Sequence, residues 1–442
     1  MISSTPQILD QLPAYESLGL ITKTDGLEQF DHLRAYRELG PIYQLQFRGE
    51  RWVAIAGLEA NEVAWRNPDA WNYEDALVPF REVMGASHVT QLDREPHRRK
   101  RRNLKNGFAM SAIARQIPEI DRTVAEELGK HTDQPLNLHD FFMKTLTVAN
   151  SRTVIQCELD AAAVDIFIKF EEEFIKGTSM GEARHHHYQK PEFVKSREFV
   201  FGFLDALVTR RLAGERVGDN FQEMIDDRRE RGEPLEKSEL IPEAYLLLMA
   251  GTGNTAKMLN CGLQKLTERP DWLIRLNEEI ATYEPESLLR GMSSFPLLKA
   301  TLMEMERLFP TAAVLSRVVY EPFVFADYEL PKGTKVLHLQ TIPHFLEEIY
   351  EDPYQFLPER WLDREYSRKA MGTFGGSTHI CLGINLVRIH MPVVVANLLR
   401  NYVLQLPEQT GISINLNYGV PQVANLEATF LRRESSTAAV QS

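Results

Sequence analysis

The spacing of apolar and polar positions changes several times along the chain. In "PIYQLQF" (41–47) and "RWVAIAG" (51–57) the two alternate, which predicts a hairpin joined through "RGE". "LEANEVAWRN" predicts a short helix, and residues 69–92 read as loop. From 95 to about 310 the pattern is almost wholly helical, with breaks near Gly129, Gly181, Gly214, Gly232 and Pro270. "PFVFADYELPKGTKVLHL" (322–339) returns to alternation, with Pro-Lys-Gly as its turn. Residues 350–380 are irregular and rich in Pro, Gly and Arg. "LGINLVRIHMPVVVANLLRNY" (382–402) predicts one helix, broken or kinked near Pro392. The last forty residues suggest short strands.

The predicted fold is therefore mostly α. Its small β region comes from about 40–57, 314–340 and 403–432; helices cover about 58–310 and 382–402. Because the β parts lie towards both ends, 1–442 reads as a single domain rather than two in sequence. A long irregular segment inside a compact domain is usually functional, and this one ends at Cys381.

Composition narrows the options. Hydrophobic residues make up 43% and charged residues 25%, as in a soluble globular protein, and the net charge of −12 argues against general nucleic-acid binding. The first forty residues hold no long apolar run, so neither a signal peptide nor a membrane anchor is predicted; the expected location is cytoplasmic. Three distant cysteines make neither a disulfide framework nor a paired-cysteine zinc site. Cys157 and Cys261 sit in helical apolar patterns and read as core. In "RHHHYQK" (184–190) three consecutive histidines point different ways on a helix, which suits a solvated segment better than a metal site.

The third cysteine differs. In "FGGSTHICLG" (374–383) Cys381 stands just before a helix, where free N–H groups and the helix dipole favour a thiolate. Glycines at 375, 376 and 383 let the backbone approach something flat and bulky. Such a sulfur could be a nucleophile, an axial ligand to haem iron, or an inert packed thiol.

Here the chain resembles the cytochrome P-450 family of haem-thiolate monooxygenases, whose cysteine loop reads F-G-x-G-x-[HR]-x-C-x-G. Phe374, Gly375, His379, Cys381 and Gly383 match; Ser377 stands where the pattern has its second glycine. Three more elements follow the family's order. "EMER" (304–307) matches E-x-x-R, and "FLPERW" (356–361) matches P-E-R-[FW]. The resemblance implies a buried structural network of Glu304, Arg307 and Arg360 that fixes the cysteine loop. In "HRRKRRNLKNGF" (97–108), His97, Arg101, Leu104 and Phe108 share one helical stripe. The resemblance implies that His97 and Arg101, with Arg317 and His379, bind the haem propionates. It also implies haem b with Cys381 as the axial thiolate, O2 as cosubstrate, and a small apolar or amphipathic organic substrate. That substrate would be bounded by residues 69–92, a lid at 178–190 and the strand after Arg317. A separate ferredoxin or flavodoxin-type electron donor would dock on the remaining cations Arg98, Arg99, Arg102 and Lys105.

The oxygen-side motif departs from the family. "LLLMAGTGNTAKML" (246–259) aligns with [AG]-G-x-[DE]-T-[TS] through Ala250 and Gly251, which puts Gly253 at the acid, Asn254 at the alcohol and Thr255 last. Ala250, Gly251, Asn254 and Thr255 are the expected oxygen-side residues. Cleaving dioxygen needs two electrons and two protons, and neither Gly253 nor Asn254 can relay a proton by ionising. Thr252, Thr255 or Asn254 then hold the relaying water differently, a substrate group supplies the proton, or the protein uses peroxide or runs another oxidation. The competing class is a haem-binding protein without oxygenase activity.

Overall fold

Strands from distant parts of the chain share one sheet. The computed structural model describes residues 9–15, 31–47, 49–407, 414–415, 422–423 and 426–433. Its six-stranded sheet runs in the order Ala14–Tyr15, Ile42–Phe47, Glu50–Ala56, Lys335–Leu339, Leu315–Val319, Trp71–Asn72. The predicted hairpin is present, with Ile42 opposite Ile55 and Leu45 opposite Trp52. Its second strand then pairs in parallel with Lys335–Leu339, nearly 300 residues on, with Ile55 beside His338. A second sheet joins Tyr402–Gln405, Glu427–Arg432 and Pro135–Asn137.

The helical body is built around two packed helices, Leu138–Thr153 and Thr252–Thr267. Phe142, Leu146, Ala256, Leu259 and Leu263 are buried in the main core. The helix that follows the cysteine, Ile384–Asn401, buries Val393, Val394, Val395 and Leu398 and packs on Ile117–Lys130. Burying each such side chain contributes roughly 1.5–3 kcal/mol before entropy is subtracted. No helix among the described residues is long and apolar enough to cross a membrane.

Several local expectations are corrected. Residues 69–92 are not all loop, for they contain the strand Trp71–Asn72 and the helix Val78–Met84. The break expected near Gly129 is present, the helix ending at Lys130. Pro392 leaves Ile384–Asn401 as one helix, because packing on both sides outweighs one lost backbone bond. Pro-Lys-Gly does turn the chain, with Thr334 N–H donating to the Pro331 carbonyl at 3.1 Å and Gly333 left-handed at φ 88°, but the strands on either side of it do not pair with each other. The hairpin is Phe323–Phe325 with Tyr328–Leu330, turned at Ala326 and Asp327, both left-handed (φ 47° and 66°). Ala326 stands where such a turn normally has Asn, Asp or Gly, so the turn carries no local mark. Of the region 403–432, the strands Tyr402–Gln405, Ile414–Asn415, Gln422–Val423 and Glu427–Arg432 are described; 408–413, 416–421 and 424–425 lie outside the described residues.

Candidate active site

The cysteine loop is closed by its own backbone. Cys381 N–H donates to the Phe374 carbonyl at 2.9 Å, and Gly375 N–H donates to Gly372 at 2.9 Å. Gly375 is left-handed at φ 68°. A Cβ on Gly376 would stand 2.3 Å from the Trp65 ring, so only glycine fits there. Ser377 is left-handed too, at φ 60°, a conformation that strains any residue with a side chain. The helix opens at Ile384 with Gly383 in the cap position.

Gly383 N–H and the Arg101 cation pull the Cys381 thiol pKa down, as the helix-terminus argument requires. Burial is the larger effect and raises the pKa overall. A coordinated metal ion would deprotonate such a thiol outright.

A rigid frame supports the loop. Arg307 donates to Glu304 through Nε (2.9 Å) and Nη2 (2.7 Å), with both side chains fully buried. Arg360 Nε (3.2 Å), Trp361 Nε1 (2.8 Å) and the Leu357 amide (3.0 Å) also donate to Glu304. Arg307 spends its remaining protons on the carbonyls of His344, Pro353 and Gln355. Glu304, Arg307 and Arg360 are thus brought together as expected. Thr373 Oγ1 donates to the Glu306 carbonyl at 2.8 Å, fastening the loop to the same helix. His344 and Trp361 belong to this frame and were not read from the sequence. Trp361 at least adjoins Arg360 in the P-E-R-W motif; nothing marked His344.

Four predicted cation or donor groups form one wall. The His379 ring lies between His97 and Tyr73, each with its centroid 3.7 Å away and nearly parallel. The Arg317 guanidinium sits 4.8 Å from the Tyr73 centroid, and Arg101 Nη1 donates to the Ile380 carbonyl at 2.8 Å. Burial and the neighbouring cations push His97 down to about 4 and His379 to about 2. Tyr73 completes the stack; the sequence pointed to it only as part of the loop-like stretch.

Cys381, this wall and the oxygen-side helix face one cavity of about 440 Å³. Ala250, Gly251 and Asn254 line it, with Gly383, Phe80, Ile175, Thr178, Leu246 and Val314. Phe374 does not line it and contributes its carbonyl to the loop instead. Thr255 is buried outside the lining, and the site of a Cβ on Gly253 faces Met143 Sδ at 3.6 Å. The helix is interrupted within "AGTGNT": Lys237–Met249 ends, Ala250 is extended, Gly251 is left-handed (φ 95°), and Thr252–Thr267 begins.

The wall tests whether a haem fits. Arg317 is 3% exposed, and among the described residues its Nε has no partner and no Asp or Glu lines the cavity. Two largely buried guanidiniums without a carboxylate want an anionic ligand. A flat group with two carboxylates, bound through a metal to Cys381, satisfies the wall and the loop together.

The basic run is less free than its composition suggests. Arg99 pairs with Glu233 and Glu239, and Lys100 is buried against Glu239 and Glu243. Arg98 and Arg102 share Glu95, while Lys105 is exposed with no ion pair among the described residues. In the histidine run, His185 faces Glu82 and buried His187 bonds the Glu173 carbonyl. Cys261 is buried and its thiol pushed up to about 12; Cys157 is half-buried.

A cysteine loop, a buried cationic wall and a broken helix around one cavity define a haem-thiolate protein. Residues 6–426 match the family model "Cytochrome P-450", and the chain belongs to that family, whose members bind haem through a cysteine thiolate. A retinoic acid-bound cyanobacterial CYP120A1 structure superposes with a TM-score of 0.82 over 97% of this chain and all of that one, at 19% identity, and shows the fold. Cyclooctat-9-en-7-ol 5-monooxygenase of Streptomyces melanosporofaciens is 24% identical over 368 residues, 75% of each chain. The Drosophila melanogaster protein named "Probable cytochrome P-450 12d1 proximal, mitochondrial" is 32% identical over 209 residues. That match spans 45% of this chain and 39% of the fly protein's length.

Proposed function

We propose that this chain is a monooxygenase that takes electrons from a separate redox protein and inserts oxygen into a small apolar or amphipathic molecule. Oxidative coupling or rearrangement of such a molecule is the same chemistry carried further. The observation that carries this reading is that Cys381 and the helix break at Ala250–Gly251 line one largely apolar cavity. The haem would supply oxygen activation. His97, Arg101, Arg317 and His379 would hold its carboxylates, and Glu304, Arg307 and Arg360 would hold the loop. Phe80, Ile175, Thr178, Leu246 and Val314 would exclude water and orient the substrate.

Asn254 is the oxygen-side polar side chain that lines the cavity. It would hold the water that delivers protons, donating and accepting where an acid would ionise. The absence of Asp and Glu from the lining among the described residues supports a second reading, in which peroxide replaces O2 and electrons. Screening an organic-compound library for a spin-state shift would find substrates. Turnover of the hits would then be measured with a reductase system and with peroxide. Tight coupling of NAD(P)H to product without peroxide activity supports the first reading; peroxide-only turnover supports the second. No spin shift and no turnover would leave a haem-binding protein that is not an oxygenase.

For the electron donor, exposed Lys105 and Arg388, with half-exposed Arg98 and Arg102, favour an acidic ferredoxin or flavodoxin docking on the cysteine side. Arg99 is a weaker member, being held by two glutamates. A cytoplasmic location goes with this reading.

A further inference from the structure

The break in the oxygen-side helix is held by a residue on another helix. Asn150, on Leu138–Thr153, is 1% exposed. Its Nδ2 donates to the Leu248 carbonyl at 2.9 Å and to Thr252 Oγ1 at 3.2 Å. Leu248 lies in the last turn before the break and Thr252 is the first residue after it. One amide group therefore spans the interruption. The carbonyls of a helix's last turn lack partners inside the helix, and a buried one must find them elsewhere.

The orientation of the Asn150 amide follows from its neighbours. Turning it over would set Oδ1 against the Leu248 carbonyl, two acceptors together, so Nδ2 must face the helix. That leaves Oδ1 pointing away, buried and without a partner. A buried amide oxygen left unpaired costs about 1–3 kcal/mol, and a site beside polar groups is where an ordered water settles. Neither Asn150 nor Thr252 lines the cavity that Asn254 lines, so this polar cluster lies outside it.

We propose that Asn150 is the positioning residue of the oxygen side: it keeps the helix broken at Ala250–Gly251 and anchors an ordered water beside the break through its Oδ1. This rests on the monooxygenase reading and deepens it, giving the proton path a fixed water where Gly253 has no side chain. Thr252, its hydroxyl accepting from Asn150, joins that water to the break.

The test compares haem-loaded wild type with Asn150→Leu, which keeps the volume and removes every hydrogen bond, and Asn150→Asp, which keeps the shape but offers at most one carboxyl proton in place of the two amide protons, so that at least one of the two bonds is lost. Amide hydrogen exchange is read over residues 250–255, and the infrared C–O stretch is read on the carbon monoxide complex. Exchange in both variants should be about 5- to 30-fold faster than in wild type, the factor that one lost buried bond of this kind represents. The C–O band should shift or broaden while the red-shifted Soret band of the thiolate complex stays in place. A high-resolution structure of wild type should show a water within hydrogen-bond distance of Asn150 Oδ1. Unchanged exchange and an unchanged C–O band in Asn150→Asp, or no water at Oδ1, would overturn the proposal. A wild type lacking the red-shifted Soret band would instead overturn the reading beneath it.

Discussion

His344 Nε2 accepts the Gly372 N–H at 2.8 Å, tying the start of the cysteine loop to the helix that carries Glu304 and Arg307. The other ring nitrogen, Nδ1, lies 2.8 Å from the Arg307 carbonyl. One nitrogen must accept and the other donate, so the ring is neutral with its proton on Nδ1. Burial, with Arg307 nearby, pushes its pKa down to about 3.

Replacing His344 with Leu should leave the Gly372 amide and the Arg307 carbonyl unpaired and cost roughly 2–5 kcal/mol. Glutamine can offer one donor and one acceptor and should cost less. Denaturant midpoints and haem retained on gel filtration check this. Equal losses in the two variants would contradict it.

The same ring sets a pH dependence. Between pH 6.5 and about 3 the unfolded chain protonates His344 while the folded chain does not. The unfolded state then binds more protons, so stability falls as pH drops below 6.5. Against His344→Gln as reference, the wild type should lose up to about 1.4 kcal/mol per pH unit on acidification and nothing above pH 7. Denaturation curves at pH 7.5, 6 and 5 measure the difference. Parallel profiles would contradict the neutral, bridging ring.

Glu304 faces Arg307 and Arg360 with no exposure of its own. Glu304→Ala should strand two cations and cost about 3–5 kcal/mol, with loss of haem binding. Thermal melts and haem content test this; a stable, fully loaded variant would remove the network from the account.

Two neighbouring loop positions should respond in opposite directions. Ser377→Gly relieves a left-handed residue and should stabilise by up to about 1 kcal/mol. Gly376→Ala should disrupt the loop, since the new Cβ meets the Trp65 ring at 2.3 Å. Melting temperatures and the absorption spectrum report both.

Much of this was legible because short-range pattern and local chemistry agree. Cys381 and its glycines announce a tight turn before a helix, and the His97–Arg101 spacing puts both side chains on one face. The helix break showed in Ala250–Gly251 because glycine inside an apolar helix has little other use. Contacts made only by tertiary packing did not show. Asn150 and His344 sit among ordinary helix and loop residues and gain their roles from partners about 100 and 30 residues away. The Thr255 and Phe374 placements depended on helix phase and loop path, which no motif fixes. The ion pairs of Arg99 leave no mark in the sequence because its partners, Glu233 and Glu239, lie on distant segments.

The central claim is that Cys381 binds haem iron as a thiolate, and the reduced carbon monoxide spectrum tests it most directly. Wild type purified with haem should give the strongly red-shifted Soret band, and Cys381→Ala should lose it while the Glu304–Arg307 frame stays folded. A colourless wild type supplied with haem, or an unchanged band in Cys381→Ala, would contradict the account.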